Sequence, residues 1–244
     1  MEIKEYESQL KTELETIVES IIKETPKLNI AVKKGERVGD AISKFFENTF
    51  VAKTTELLNF SGAEASPVGK TKNPWDARAD YTINGFKQDI WIDFKAVNID
   101  NEDSNPDSGT PDKIINHILS GNFYLVFIYV YYKGSLEGLE FVSKNGKFVK
   151  PYFLKDISPT FRITPANQMQ VNYSEDAVYR TREEFLNLLL QKKVESNERK
   201  FKKATQELEN LKNGLFKKTK TREIKLTDLL AKNKEQEEAI KNLK

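Results

Sequence analysis

A mixed α/β fold follows from three observations: a β-sheet core flanked by helices, with a helical N-terminus and a C-terminal helical extension. Apolar residues recur at helical spacing towards both ends, alternate with polar ones in the middle, and form one unbroken central run, "NFYLVFIYVYY". The 244 residues suffice for one core with an appendage, and 38% hydrophobic content is that of a globular chain.

Ile3, Tyr6, Leu10, Leu14, Ile17 and Ile21 predict an amphipathic helix over 3–23, broken at Pro26. A second helix is expected from near Gly35, with Val38, Ile42, Phe45 and Phe46 on its apolar side. A short third one is expected from Thr54 to Phe60, before the loop "SGAEASPVGKTKNPWDA". From Asp80 the period shortens to two, and "DYTINGFKQDIWIDFKAV" reads as a hairpin turning at Asn84-Gly85. The polar loop "NIDNEDSNPDSGT" leads to a helix near 111–120, and the apolar run to a strand covered on both faces. "LEFVSKNGKFVKPYFL" predicts a second hairpin with Asn145-Gly146 at its tip, and "FRITPANQMQVNY" one more strand. From "YRTREEFLNLLLQKK" onward the chain is expected to be helical, opened by a Thr181/Glu184 capping box. Phe201, Ala204, Leu208, Leu211 and Leu215 step as a coiled-coil seam, which Gly214 and "KKTKTRE" are expected to interrupt.

Composition removes several chemistries. There is no cysteine, so no disulfide and no thiolate zinc site. The single histidine, His117, sits among helix-pattern apolar residues, which leaves carboxylates, lysine and a hard metal as the means of catalysis. No apolar run approaches the ~20 residues that cross a bilayer. The acidic start lacks a signal-peptide layout, so a soluble cytoplasmic protein without membrane contact is expected. The net charge is +2, but Lys192 to Lys225 holds twelve basic and five acidic residues, a surface suited to phosphates.

The charged strand "WIDFKAV" carries the chemistry. Asp93 and Lys95 share one face of it, and Asp80 lies 13 residues upstream across the hairpin. Burying such charges costs several kcal/mol unless they pair or bind an ion. Neighbouring carboxylates suit Mg²⁺, which takes one or two of them together with phosphate oxygens and waters. A lysine alongside can hold the attacking water and stabilise the transition state.

"ADYTI" followed by "DFK" resembles the PD-(D/E)xK nucleases, and within them the HincII-like Type II restriction endonucleases. "KGERVGDAISKFF", "TPDKIINHI", "PANQMQVNY" and "TREEFLNLLLQK" resemble further stretches of that family in the same order, over roughly residues 33 to 205. The resemblance implies a restriction-endonuclease-like fold and Mg²⁺-dependent cleavage of double-stranded DNA within a restriction-modification system. It implies Asp80 and Asp93 as metal ligands with the Phe94 carbonyl, and Lys95 beside the nucleophilic water. Glu36 is the implied helical acid, with Asp40 as its substitute. Residues 1–190 would form the nuclease core with its N-terminal helices, and 191–244 a basic, coiled-coil-like extension. Ala79 stands where the family name has proline, the loop from Lys95 to Pro111 is long, and residues 206–244 have no counterpart.

Turn geometry and motif spacing disagree. A two-residue turn pairs Asp80 with Asp89 rather than Asp93, and four residues of offset amount to ~13 Å. A wider turn, a bulge or a curled strand start would be needed, with Asp89 as a fallback ligand. For DNA contact the candidates are Lys70, Lys72 and Asn73 in "GKTKNPW", with Trp75 as a further groove candidate more suited to the core. In "NPDSGTPDK" they are Asp107, Ser108, Thr110, Asp112 and Lys113. Cutting both strands of a palindrome calls for a homodimer. The alternatives are a repair or junction-resolving nuclease on the same scaffold, and a non-catalytic DNA-binding coiled-coil protein.

Overall fold

In the computed structural model, residues 2–29, 38–67, 75–100, 108–121, 123–135, 138–172 and 174–241 are described. They fall into two compact units, Met1–Lys193 and Val194–Lys244. Helix α1 (Ile3–Glu24) buries the predicted apolar stripe and is followed by β1 (Lys27–Leu28) and α2 (Val38–Thr54). Next come β2 (Phe60–Ala65), β3 (Ala77–Ile83), β4 (Phe86–Asn98) and α3 (Pro111–Ser120). The 13-residue β5 (Phe123–Ser135) precedes β6 (Gly138–Phe141), β7 (Val149–Phe153), a 3-10 turn at Leu154–Asp156, β8 (Arg162–Ile163) and β9 (Met169–Gln170). Helix α4 (Arg182–Lys241) closes the chain.

The main sheet has the order β1-β6-β5-β4-β3-β2, with β7 paired to β5 beside β6. The β4–β5 pair is parallel and the others antiparallel. On one face α1 and α2 bury Ile90, Ile92 and Phe94 of β4 with Ile128 and Val130 of β5. On the other, Phe127, Tyr129 and Tyr131 of β5 pack with Ile114 of α3, Met169 of β9, and Phe185 and Leu189 of α4. The apolar run is therefore covered on both sides, as its composition requires. The Asn84-Gly85 turn takes positive φ at both residues, the primed geometry that fits strand twist. The Thr181/Glu184 box is reciprocal, with Thr181 N–H to Glu184 Oε2 at 2.7 Å and Glu184 N–H to Thr181 Oγ1 at 3.2 Å.

Four expectations change. Residues after Thr54 make turns rather than a helix, and the expected loop contains β2, because pairing of Phe60 with Tyr81 outweighs local propensity. The strands β6 and β7 do not form a hairpin with each other: apart from a bridge between Lys144 and Lys147, both pair with β5, which is long enough to take them end to end. Residues 161–171 give two short strands around Asn167, not one. Helix α4 runs through Gly214, whose cost of ~1 kcal/mol relative to alanine does not end a long helix. Among the described residues no helix is long and apolar enough to cross a membrane.

Candidate active site

Strand β3 ends before β4 does, and the site forms at that step. Ala77 pairs with Ile92 as the last residue of the ladder, after which β4 runs on beside β5 alone. Asp76 extends the pairing by one residue: its N–H donates to the Ile92 carbonyl at 2.8 Å. Its carboxylate Oδ2 then accepts the Phe94 N–H at 2.8 Å, taking the place of a strand carbonyl. Asp76 thus lies across from Asp93.

Asp93 and Lys95 point to the same side of β4, and Lys95 Nζ meets Asp93 Oδ1 at 2.8 Å. The ammonium also lies 5.6 Å above the Phe127 ring. Both side chains retain about a fifth of their exposure, 19% for Asp93 and 20% for Lys95, so they are sheltered yet reachable. From α2, the Ser43 hydroxyl donates to the Phe94 carbonyl at 2.9 Å, leaving that oxygen one lone pair. One turn further, Glu47 is buried and held by Lys44 at 2.7 Å. Burial pushes the Asp76 carboxyl up to about 7, the Asp93 charge adds to this, and the Lys95 charge and Phe94 N–H oppose it, with Glu47 a smaller addition. A carboxyl whose ionisation a neighbouring carboxylate opposes, with the Phe94 carbonyl alongside, suits a hard divalent cation. Among the described residues no group of three or more His, Cys, Asp or Glu could hold a metal ion.

Asp80 lies lower on the same hairpin. It sits in mid-strand opposite Asp89 and is paired with Lys87 at 2.8 Å, over a shallow recess shared with Gly62 and Arg78. The two-residue turn keeps the register regular, which leaves Asp80 opposite Asp89, four residues along β4 from Asp93. The fallback, Asp89, shares that lower level and accepts the Trp91 indole N–H at 2.9 Å. Register arithmetic was the signal that finds Asp76. It stands eight residues before Asn84, as Asp93 stands eight after Gly85. Glu36 lies outside the described residues, and Asp40 lies in the first turn of α2, one helical turn before Ser43. Glu47, absent from the sequence-based set, is the acid on α2 whose charge acts on Asp76.

The model of the SwaI-like family, described as SwaI restriction endonuclease, matches residues 2–211. The chain belongs to the SwaI-like restriction endonuclease family. No curated protein matches it. A SwaI-like chain is a type II restriction endonuclease, an enzyme that hydrolyses DNA, and its mixed sheet flanked by helices is a restriction-endonuclease-like fold. Family membership favours that reading over a non-catalytic coiled-coil protein.

The DNA-contact candidates of this SwaI-like chain divide. Lys70, Lys72, Asn73 and Asp107 lie outside the described residues. Ser108 is buried, with its N–H donating to the Met169 carbonyl at 2.8 Å. Thr110 accepts from Gln168 at 3.4 Å, and Asp112 is held by Asn167 at 3.0 Å and by Lys193. Lys113 is exposed. Trp75 is buried, beneath Arg78. His117 lies edge-on to Trp91 at 5.0 Å, its pKa lowered by burial and by the Lys113 charge.

Proposed function

We propose that the chain is a Mg²⁺-dependent, site-specific endodeoxyribonuclease that cuts both strands of a palindromic duplex as a homodimer. Its site is a PD-(D/E)xK arrangement in which Asp76 takes the part expected of Asp80. The observation that carries this reading is the convergence of Asp76 and Asp93 at the end of β3, with Lys95 2.8 Å from Asp93. Asp76, Asp93 and the Phe94 carbonyl would hold the ion. When bound, Mg²⁺ would lower the pKa of water and neutralise charge on the phosphoryl group. Lys95, steadied by Asp93, would orient the incoming water and stabilise the charge that gathers on the phosphate oxygens. The water oxygen bonds to phosphorus, the ester bond to the leaving sugar oxygen breaks, and solvent takes and returns the protons. Asp76, half-buried at the strand end and held by the Phe94 amide, keeps its carboxylate fixed through these steps.

The HincII-like resemblance supports the same chemistry and a two-fold dimer with one subunit per strand. Incubation with plasmid DNA and Mg²⁺ tests the reading. Discrete fragments are expected, a smear would point to a repair or junction-resolving enzyme, and intact DNA from several plasmids would contradict both. Asp93→Ala and Lys95→Ala should abolish cleavage and leave DNA binding in place. Cleavage retained by either variant would remove that residue from the chemistry.

A further inference from the structure

The matched span ends at residue 211, whereas α4 continues to Lys241. In the second unit Phe201, Leu208, Leu211, Leu215, Leu226 and Leu229 are between 52% and 75% exposed. Helical propensity alone does not hold a helix containing glycine and several threonines, so most of its stability must come from packing.

The spacing says what kind of packing. Phe201, Ala204, Leu208, Leu211 and Leu215 follow steps of 3 and 4, and so do Leu226, Leu229, Asn233 and Gln236. Leu215 and Leu226 are eleven residues apart, three helical turns, so the two blocks fall on one stripe. A seam of this period is filled by another helix through knobs-into-holes contacts. Phe201, Leu208, Leu215, Leu226 and Asn233 then occupy a positions, with Arg222 on the same stripe between the two blocks, and a polar Asn at a is a device that sets partner number and register. The flanks match a second copy of the same helix. Glu207 at g faces Lys212 at e of an identical, parallel, in-register helix, and Lys232 faces Glu237 in the second block. The pairs Lys200 with Thr205 and Lys225 with Leu230 bring no like charges together.

We propose that residues 201–237 pair with the same segment of a second copy of this chain as a parallel, in-register, two-stranded coiled coil. Two such stripes would bury on the order of 1,600 Å² together, the size of a stable interface. This deepens the proposed homodimer by naming what holds the copies together, and it uses residues outside the catalytic site.

The chain has no cysteine, so Gln236→Cys at a d position introduces a single thiol. Under mild oxidation the full-length variant should become a covalent dimer at least about tenfold faster than Asp228→Cys, which faces outward. An antiparallel pair or a helix folded back on itself keeps residue 236 far from its counterpart and gives no such bridge. Glu207→Lys should weaken the bridging, and Glu207→Lys with Lys212→Glu should restore it. Equal bridging by both cysteine variants, or a monomeric mass without bridging, would overturn the proposal. Plasmid cleavage read on the same samples separates the two claims. Cleavage without a bridge sinks the coiled coil alone, and a bridge without cleavage supports the coiled coil while contradicting the nuclease assignment.

Discussion

One hairpin carries two cross-strand pairs of aspartates, and they have different surroundings. Asp80 and Asp89 face each other in mid-ladder, where Lys87 neutralises Asp80 at 2.8 Å and solvent reaches a third of its side chain. Asp76 and Asp93 face each other four residues on, where β3 has stopped and α2 covers the opening with Ser43 and Glu47. There the Asp76 carboxyl is pushed up to about 7 by burial and by Asp93. Both pairs have the residue types for a metal, but only the second has a sheltered lysine and a carboxylate unable to shed its charge into water. A strand ending one residue before its partner acid is what separates a candidate site from a surface ion pair.

Substitutions at the two pairs test this contrast. Lys95→Ala should have the largest effect, a loss of cleavage on the order of 10³-fold, because it removes the ammonium that Asp93 holds beside the proposed phosphoryl position. Glu47→Gln should lower cleavage about tenfold and raise the Mg²⁺ concentration at half-maximal rate, since its charge acts through Asp76. A metal titration of cleavage rate reads both quantities, and an unchanged half-maximal concentration would make Glu47 purely structural.

A stability effect follows from the same burial. The Asp76 carboxyl moves from an ordinary 3.8 to about 7 on folding, so between those values the folded, metal-free chain holds a proton that the unfolded chain has lost. Stability therefore falls as pH rises through that window. Asp76→Asn should make the metal-free protein more stable at pH 8, by roughly 1–3 kcal/mol, with the gain vanishing near pH 4. Urea unfolding in EDTA at the two pH values measures it. The smallest effect belongs to the other pair: Lys87→Ala should shift stability by less than about 1 kcal/mol, because its ion pair with Asp80 is exposed.

Much of this was legible in the residues. The alternation from Asp80 to Val97 and the Asn84-Gly85 turn foretold the hairpin, and the apolar run foretold a strand buried on both faces. Asp93 and Lys95 were legible because both stand on one face of an otherwise apolar strand. Asp76 is less so, because the 13-residue interval of the family motif points to Asp80, whereas the register dictated by the turn points to Asp76. Ser108 reads as a loop residue available to DNA, but it is buried and its pairing with Met169 is a long-range contact with no local signature. Strand β2 was hidden for a similar reason: Ser61, Gly62 and Glu64 carry no β pattern, and their order comes from β3.

The most direct measurement sets Asp76→Asn beside Asp80→Asn in plasmid cleavage with Mg²⁺. Loss of fragments with the first and a rate within about threefold of the unaltered chain with the second is the predicted result. An active Asp76→Asn together with an inactive Asp80→Asn would contradict the account.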